Sequence, residues 1–243
     1  NVADVWVNGT HLTTHLGGYL PFTLDISDKV KPGEENIIVV RLDNRDNTTT
    51  GPKPLYRLDF NMYGGIYRNV WLIEKSKLHI TDPIFADKPA SGGIMIKTSN
   101  ISQQSAKVDV QTQISNAFDV SKNFVLKQSL LDANKGILKT TQKEISINAM
   151  QNIEDIQTVV LENPKLWTPD TPYLYYILTE IISGNKVIDK EETRIGIRDV
   201  NIVNEGLWLN GEKTFLRGVN RHQEYPYVGY ALSDIAQRRD AYK

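Results

Sequence analysis

Val108-Asp109-Val110-Gln111-Thr112-Gln113-Ile114 alternates in its side chains, with Val108, Val110, Thr112 and Ile114 on one side of the chain and Asp109, Gln111 and Gln113 on the other. A helix gathers residues three and four apart, whereas a strand returns to the same face at every second residue, so this stretch predicts a strand with one face buried. The same period recurs in Lys143-Glu144-Ile145-Ser146-Ile147 and Ile156-Gln157-Thr158-Val159, and Tyr173-Leu174-Tyr175-Tyr176-Ile177-Leu178-Thr179-Glu180-Ile181 is a longer, aromatic strand. Short strands separated by polar turns predict an immunoglobulin-like β-sandwich over residues 78–198. The chain has no cysteine, so the Cys–Trp–Cys core of antibody domains is excluded, as are disulfides and thiolate metal sites.

Upstream, residues 1–77 also read as strands and turns. Val5-Trp6-Val7 runs into Asn8-Gly9, a dipeptide suited to tight hairpins because both residues tolerate positive φ. Phe22-Thr23-Leu24-Asp25-Ile26 alternates as a half-buried strand, and Lys31-Pro32-Gly33 is a turn. Asn36-Ile37-Ile38-Val39-Val40-Arg41-Leu42 is a continuous β-branched run, which predicts a strand covered on both faces. Residues 46–54 predict a loop, and Ile66-Tyr67-Arg68-Asn69-Val70-Trp71-Leu72-Ile73 a closing strand.

The character changes after Arg198. Leu207-Trp208-Leu209, Asn210-Gly211 and Lys213-Thr214-Phe215-Leu216 predict a hairpin, and Ser233 with Asp234 beside it predicts the N-cap of a helix reaching Tyr242. A strand, a loop and then a helix is the opening unit of an α/β structure, here over residues 199–243. Val5-Trp6-Val7 reads as a strand already inside a sheet, and Arg238–Lys243 lies within the expected helix. The sequence therefore reads as a piece of a longer protein.

Among 243 residues, 28 Lys and Arg balance 29 Asp and Glu, which leaves no electrostatic footprint for nucleic acid or an anionic membrane. The longest apolar runs, such as Ile37–Val40, are too short to span a bilayer. No compartment can be read from this composition.

The densest polar cluster is Arg217-Gly218-Val219-Asn220-Arg221-His222-Gln223-Glu224-Tyr225-Pro226. Such a run is most often a solvated loop, but its place after a strand and before a helix is where α/β barrels present binding groups. Two guanidiniums, an amide, an imidazole and an acid can recognise a polyhydroxylated ligand through directional hydrogen bonds. His11 and His15 are four apart in a strand context, where they are poorly placed to chelate a metal. Trp6, Tyr19, Trp71, Trp167, Trp208 and the Tyr173–Tyr176 group are either sugar-stacking platforms or core, and core is the more common use of large rings in a sandwich.

Several of these segments, in order, resemble glycoside hydrolase family two, and the resemblance runs from near the start of the chain to its end. Asp4-Val5-Trp6-Val7-Asn8-Gly9, Gly17-Gly18-Tyr19-Leu20-Pro21-Phe22 and Tyr63-Gly64-Gly65-Ile66-Tyr67-Arg68-Asn69-Val70-Trp71-Leu72 look like its jelly-roll sugar-binding domain. Asn163-Pro164-Lys165-Leu166-Trp167-Thr168-Pro169-Asp170-Thr171-Pro172-Tyr173-Leu174-Tyr175 is similar to the late signature of its immunoglobulin-like domain. Arg194-Ile195-Gly196-Ile197-Arg198, Leu209-Asn210-Gly211 and Arg217–His222 resemble the entry to its catalytic barrel, and the Asn220–Pro226 version is closest to the β-galactosidase type.

The resemblance implies a mainly β chain: part of a jelly-roll sandwich over 1–77, an immunoglobulin-like sandwich over 78–198, and the first strand and helix of a (β/α)8 barrel over 199–243. It implies a retaining glycosidase that cleaves terminal β-galactosides in carbohydrate metabolism, with β-glucuronidase, another β-glycosidase or a non-catalytic carbohydrate-binding or adhesion module as alternatives. His222 would contact sugar hydroxyls, Arg217, Asn220 and Arg221 would shape the floor, and Asp59 would reach toward the sugar, in some members through sodium. Gln223 stands where many relatives carry an acid. The acid/base and nucleophile glutamates are expected beyond Lys243, so no catalytic residue is assigned within the chain and the stretch alone is expected to be inactive. Na+ or Mg2+ would serve only the full-length enzyme, as would assembly into a homo-oligomer, and the partner implied is a β-galactoside or oligosaccharide.

Overall fold

The computed structural model of the chain describes residues 1–51, 57–58, 60–89 and 92–242. They fall into two compact units, one formed by Asn1–Leu72 with Gly218–Lys243 and the other by Ile73–Arg217.

In the first unit, β1 (Val2–Val7) lies between β2 (Thr10–Leu16) and β3 (Ile38–Asp43) in an antiparallel sheet. Asn8 and Gly9 join β1 to β2 with φ of 50° and 81°, the pair of positive values that a type I′ turn requires. Asn8 also acts as a brace: its side-chain nitrogen donates to Lys29 O and Asn36 Oδ1, both at 2.8 Å. Ala3, Val5 and Val7 are the buried face of β1.

The β-branched run does form β3, but it is not covered on both faces. Ile37, Ile38, Val39, Val40 and Leu42 are all exposed, because β3 has β1 as its strand neighbour and, among the described residues, no second layer packs on it. Phe22–Ile26 and Ile66–Ile73 form no strand. A strand is stabilised by a hydrogen-bonded neighbour, and no ladder partner for either segment exists among the described residues. The Asp46–Pro54 loop is free of regular structure through Gly51, and residues 52–54 lie outside the described residues.

The second unit is built on two antiparallel sheets. One has the order β11 (Lys186–Ile195), β10 (Tyr175–Ser183), β7 (Lys122–Leu131), β8 (Ile137–Ile147). In the other, β6 (Ser105–Asn116) pairs along one edge with β9 (Gln151–Glu162), and along the other with β5 (Ile94–Ser99) and then β4 (Leu78–Ile80). Their inward faces form two apolar clusters. One contains Val108, Val110, Leu130, Val159 and Ile177; the other contains Leu78, Ile80, Ile114, Leu126 and Ile181.

A polar seam separates the two clusters. On three strands the inward residues read apolar, polar, apolar: Val110, Thr112, Ile114 on β6; Leu126, Gln128, Leu130 on β7; Ile177, Thr179, Ile181 on β10. Thr112, Gln128 and Thr179 are all fully buried. Gln128 reaches across to the other sheet, donating from Nε2 to Thr112 Oγ1 at 2.9 Å.

A small antiparallel meander follows in the same unit: β12 (Val200–Val203), β13 (Gly206–Leu209) and β14 (Glu212–Thr214). The Asn210-Gly211 hairpin is present, with φ of 52° and 83°. The last strand stops at Thr214 rather than Leu216, since its ladder with β13 ends there and Phe215 and Leu216 are exposed. Residues 215–224 carry no regular element. The expected helix is α1 (Asp234–Ala241) of the first unit, capped by Ser233, whose Oγ accepts from Ala236 N at 3.3 Å. Among the described residues no helix is long and apolar enough to cross a membrane.

Candidate functional site

The polar cluster around His222 belongs to the first unit from Gly218 onward, and there it runs past the segment Phe60–Tyr67. Ring contacts and hydrogen bonds register the two. The rings of Phe60 and His222 meet edge to face, 6.1 Å between centroids. The side-chain nitrogen of Asn61 donates to Glu224 Oε2 at 3.2 Å. The Tyr230 hydroxyl donates to Asn61 O at 2.5 Å. Tyr63 stands perpendicular to Tyr230 at 5.0 Å.

Local chain geometry sets these contacts up. Tyr225 and Gly229 close a tight turn, with Tyr225 N donating to Gly229 O at 3.1 Å and Gly229 N to Tyr225 O at 3.0 Å. Gly229 has φ +56°, and a Cβ there would sit 3.1 Å from the Tyr63 ring, so both backbone and space call for glycine. On the other side, Asn44 donates from Nδ2 to Met62 O at 3.0 Å, and Tyr67 donates to Gly18 O at 2.9 Å, fixing the 61–67 segment to the rest of the unit.

Between the two segments lies an open concavity of about 530 Å³, lined by Asn61, Tyr63, Tyr67, Glu224, Tyr225 and Tyr230 among others. Tyrosine rings give it apolar faces, and phenol, amide and carboxylate groups give it directional polar contacts, the mixture expected of a site for a neutral polar ligand. Burial, with Tyr19 and Glu224 nearby, pushes the Tyr230 phenol up to about 12, so it stays a donor at neutral pH. Among the described residues Glu224 is the one carboxylate of the lining.

The expected sugar-contact residues are placed as follows. His222 and Asn220 are exposed in the loop, and neither lines the concavity, which begins at Glu224. Arg221 is turned to α1: its guanidinium donates to Gln237 Oε1 at 2.8 Å and to Asp240 Oδ2 at 2.6 Å, which holds the Asp240 carboxyl below its usual range. Arg217 is an exposed residue of the other unit. Asp59, the sodium candidate, lies outside the described residues, and among those described no three His, Cys, Asp or Glu side chains gather to hold a metal ion.

His11 and His15 have separate partners, Asp4 at 3.7 Å for the first and the stacked ring of Phe22 at 4.4 Å for the second. Trp167 is packed under the Arg198 guanidinium and close against Gly196, Tyr175 is buried core, and both serve the second unit's structure. Asn61, Tyr63, Tyr67 and Tyr230 were not among the expected contacts. The run Tyr225-Pro226-Tyr227-Val228-Gly229-Tyr230, tyrosines around a turn, was the available signal for part of this set.

Comparison with known proteins gives two family-model matches: glycosyl hydrolases family 2, sugar binding domain, over residues 1–76, and glycosyl hydrolases family 2 over residues 93–198. The chain is 36% identical over 242 residues to a β-galactosidase of Thermoanaerobacter pseudethanolicus, covering 99% of this chain and 30% of that protein. It is 35% identical over 233 residues to a β-glucuronidase of Formosa agariphila, covering 94% of this chain and 24% of that one. Among solved structures, a β-glucuronidase from glycoside hydrolase family 2 superposes with a TM-score of 0.86 at 32% identity, over 95% of this chain and 25% of that chain. A Bacteroides uniformis β-glucuronidase superposes with a TM-score of 0.87 at 28% identity, over 98% of this chain and 28% of that chain. The chain thus spans between a fifth and about a third of the length of the curated relatives it matches.

Proposed function

The chain belongs to glycosyl hydrolases family 2, and from that premise we propose that it is part of a retaining β-glycosidase acting on terminal β-galactosides. In this reading residues 1–77 are part of the sugar-binding domain, 78–198 the immunoglobulin-like domain, and 199–243 the first strand and helix of the catalytic barrel. The family-model matches ending at residues 76 and 198 support the first two boundaries. The carrying observation is the similarity to the Thermoanaerobacter β-galactosidase, which extends through the Asn220–Pro226 loop because it covers 99% of this chain.

Retaining hydrolysis needs two carboxyl groups about 5–5.5 Å apart, one as acid/base and one as nucleophile. Glu224 is the one carboxylate lining the concavity among the described residues; on the family resemblance, both catalytic glutamates are assigned to chain beyond Lys243. In this reading the part played by this chain is positioning: His222 contacts sugar hydroxyls and Asn220 and Asp59 shape the surroundings, while Arg221 holds the loop through its bonds to Gln237 and Asp240. Small displacements at a reacting centre cost rate steeply, so such a floor contributes to turnover without touching the breaking bond.

A second reading, β-glucuronide hydrolysis, is favoured by the 35% identity to a β-glucuronidase. Assay of the complete enzyme on nitrophenyl β-galactoside and nitrophenyl β-glucuronide separates the two. The expected result is the larger kcat/KM on the galactoside, falling by about 10- to 100-fold in His222→Ala. Equal or greater turnover of the glucuronide would replace the first reading with the second, and no turnover of either would end both.

A further inference from the structure

We infer that Asn61 is a positioning residue, holding the loop that carries His222 in register for a bound sugar. The inference rests on the glycosidase reading above and extends it to a residue outside the expected sugar contacts.

Asn61 is used twice. Its side-chain nitrogen donates to Glu224 Oε2 at 3.2 Å, and its backbone oxygen accepts from the Tyr230 hydroxyl at 2.5 Å. One residue therefore grips the loop at two points, 163 and 169 positions away in sequence. Its neighbours add to the hold: Phe60 meets the His222 ring, and Tyr63 packs on Tyr230 and fills the space that a Cβ at Gly229 would need. His222 thus lies, in sequence, between two pins. Arg221 is tied to Gln237 and Asp240 of α1, and Glu224 is tied to Asn61.

The chemistry of the pin is directional. An amide can donate to the Glu224 carboxylate without bringing a charge of its own. Aspartate has nearly the same shape but offers only acceptors when ionised, and it would set two like charges side by side. Glutamine at position 224 would reverse the bond, its amide donating to an aspartate at position 61.

The test uses the complete enzyme that carries this chain, with Asn61→Asp, Glu224→Gln and the double variant assayed on nitrophenyl β-galactoside across pH. Asn61→Asp is expected to lower kcat/KM by about tenfold, with a loss that deepens as pH rises and both carboxylates ionise. Adding Glu224→Gln to Asn61→Asp is expected to recover most of the loss and to flatten its pH dependence. A purely structural role predicts neither the pH dependence nor the rescue. If Asn61→Asp does not fold, Asn61→Ala removes the donor without adding charge, and a pH-independent loss of similar size is expected. Wild-type turnover that Asn61→Asp, or Asn61→Ala in its place, matches at every pH overturns the inference alone, as does a double variant no better than Asn61→Asp. A wild-type enzyme inactive on both glycosides overturns the glycosidase reading and this inference with it.

Discussion

Gln128 on β7 and Thr179 on β10 stand directly opposite each other in the ladder, both fully buried, and each keeps one side-chain oxygen without a hydrogen-bond partner. Opposed residues of an antiparallel pair share a face, so these two groups sit together in the seam between the apolar clusters.

A buried hydroxyl that makes no bond contributes desolvation cost without return, whereas the Gln128 amide bonds Thr112 across the sheets. Thr179→Val, which keeps the shape and removes the hydroxyl, is therefore expected to leave stability unchanged or raise it. Gln128→Ala, which removes the cross-sheet bond and opens a cavity, is expected to cost about 2–4 kcal/mol. Urea unfolding of the two variants checks this. A loss of more than about 1 kcal/mol in Thr179→Val would mean that its hydroxyl is satisfied in solution.

Lys75 carries a second expectation for the same unit. Its ammonium donates to Ile80 O at 2.9 Å and pairs with Asp189 at 3.4 Å and with Glu191. Asp189 in turn accepts from Ile80 N at 2.8 Å, and its side chain is only 11% exposed. Lys75→Met leaves that carboxylate without its cation and is expected to cost about 1–2 kcal/mol, less than for a fully buried pair because the site is partly wet. Asp189→Asn keeps an acceptor for Ile80 N, so the double variant is expected to regain part of the loss. Additive losses in the denaturation cycle would remove the ion pair from the account.

Tyr230 gives an alkaline signature. An unfolded tyrosine ionises near about 10, and burial raises the folded group to about 12. The folded state thus binds this proton more tightly, and the associated stability is fully present below about pH 10 and lost as pH climbs through the folded value. Tyr230→Phe removes the bond to Asn61 O and lowers stability at neutral pH, but it cannot ionise. Its stability should fall less steeply than wild type across that window. Parallel slopes for the two proteins in alkaline denaturation would contradict the assignment.

Where the sequence was a reliable guide, the cause was local. Asn8-Gly9 and Asn210-Gly211 make turns because both residues accept positive φ, and Ser233 caps α1 because its hydroxyl meets an otherwise unpaired N–H. The alternation in β6, β9 and β10 survives because each has a partner strand and a facing sheet. Phe22–Ile26 carries the same alternation and Ile66–Ile73 ends in an apolar run, but both lack a described ladder partner, and sequence pattern alone cannot supply one. The seam was also hidden, since Thr112 in the quoted stretch sits in the inward phase where period marks a face but not what lies across from it.

The site was half legible for a related reason. The motif drew attention to Asn220, Arg221 and His222, while the concavity is made by Asn61, Tyr63 and Tyr67 meeting Glu224 and Tyr230. That meeting joins residues more than 150 positions apart, and no sequence window contains both sides. Arg221 shows the opposite case, a residue picked out for ligand chemistry that the fold commits to its own helix.

The uncovered β3 has a practical side. Among the described residues no strand pairs with its far edge, which lies beside Ile38, Val39 and Val40, all at least 37% exposed, and that is the make-up of a seed for fibrillar stacking. Arg41 and Asp43 are the only charges on the strand. Preparations of this chain by itself are best kept dilute, and a lysine introduced at Val39 would act as a gatekeeper against strand-by-strand growth.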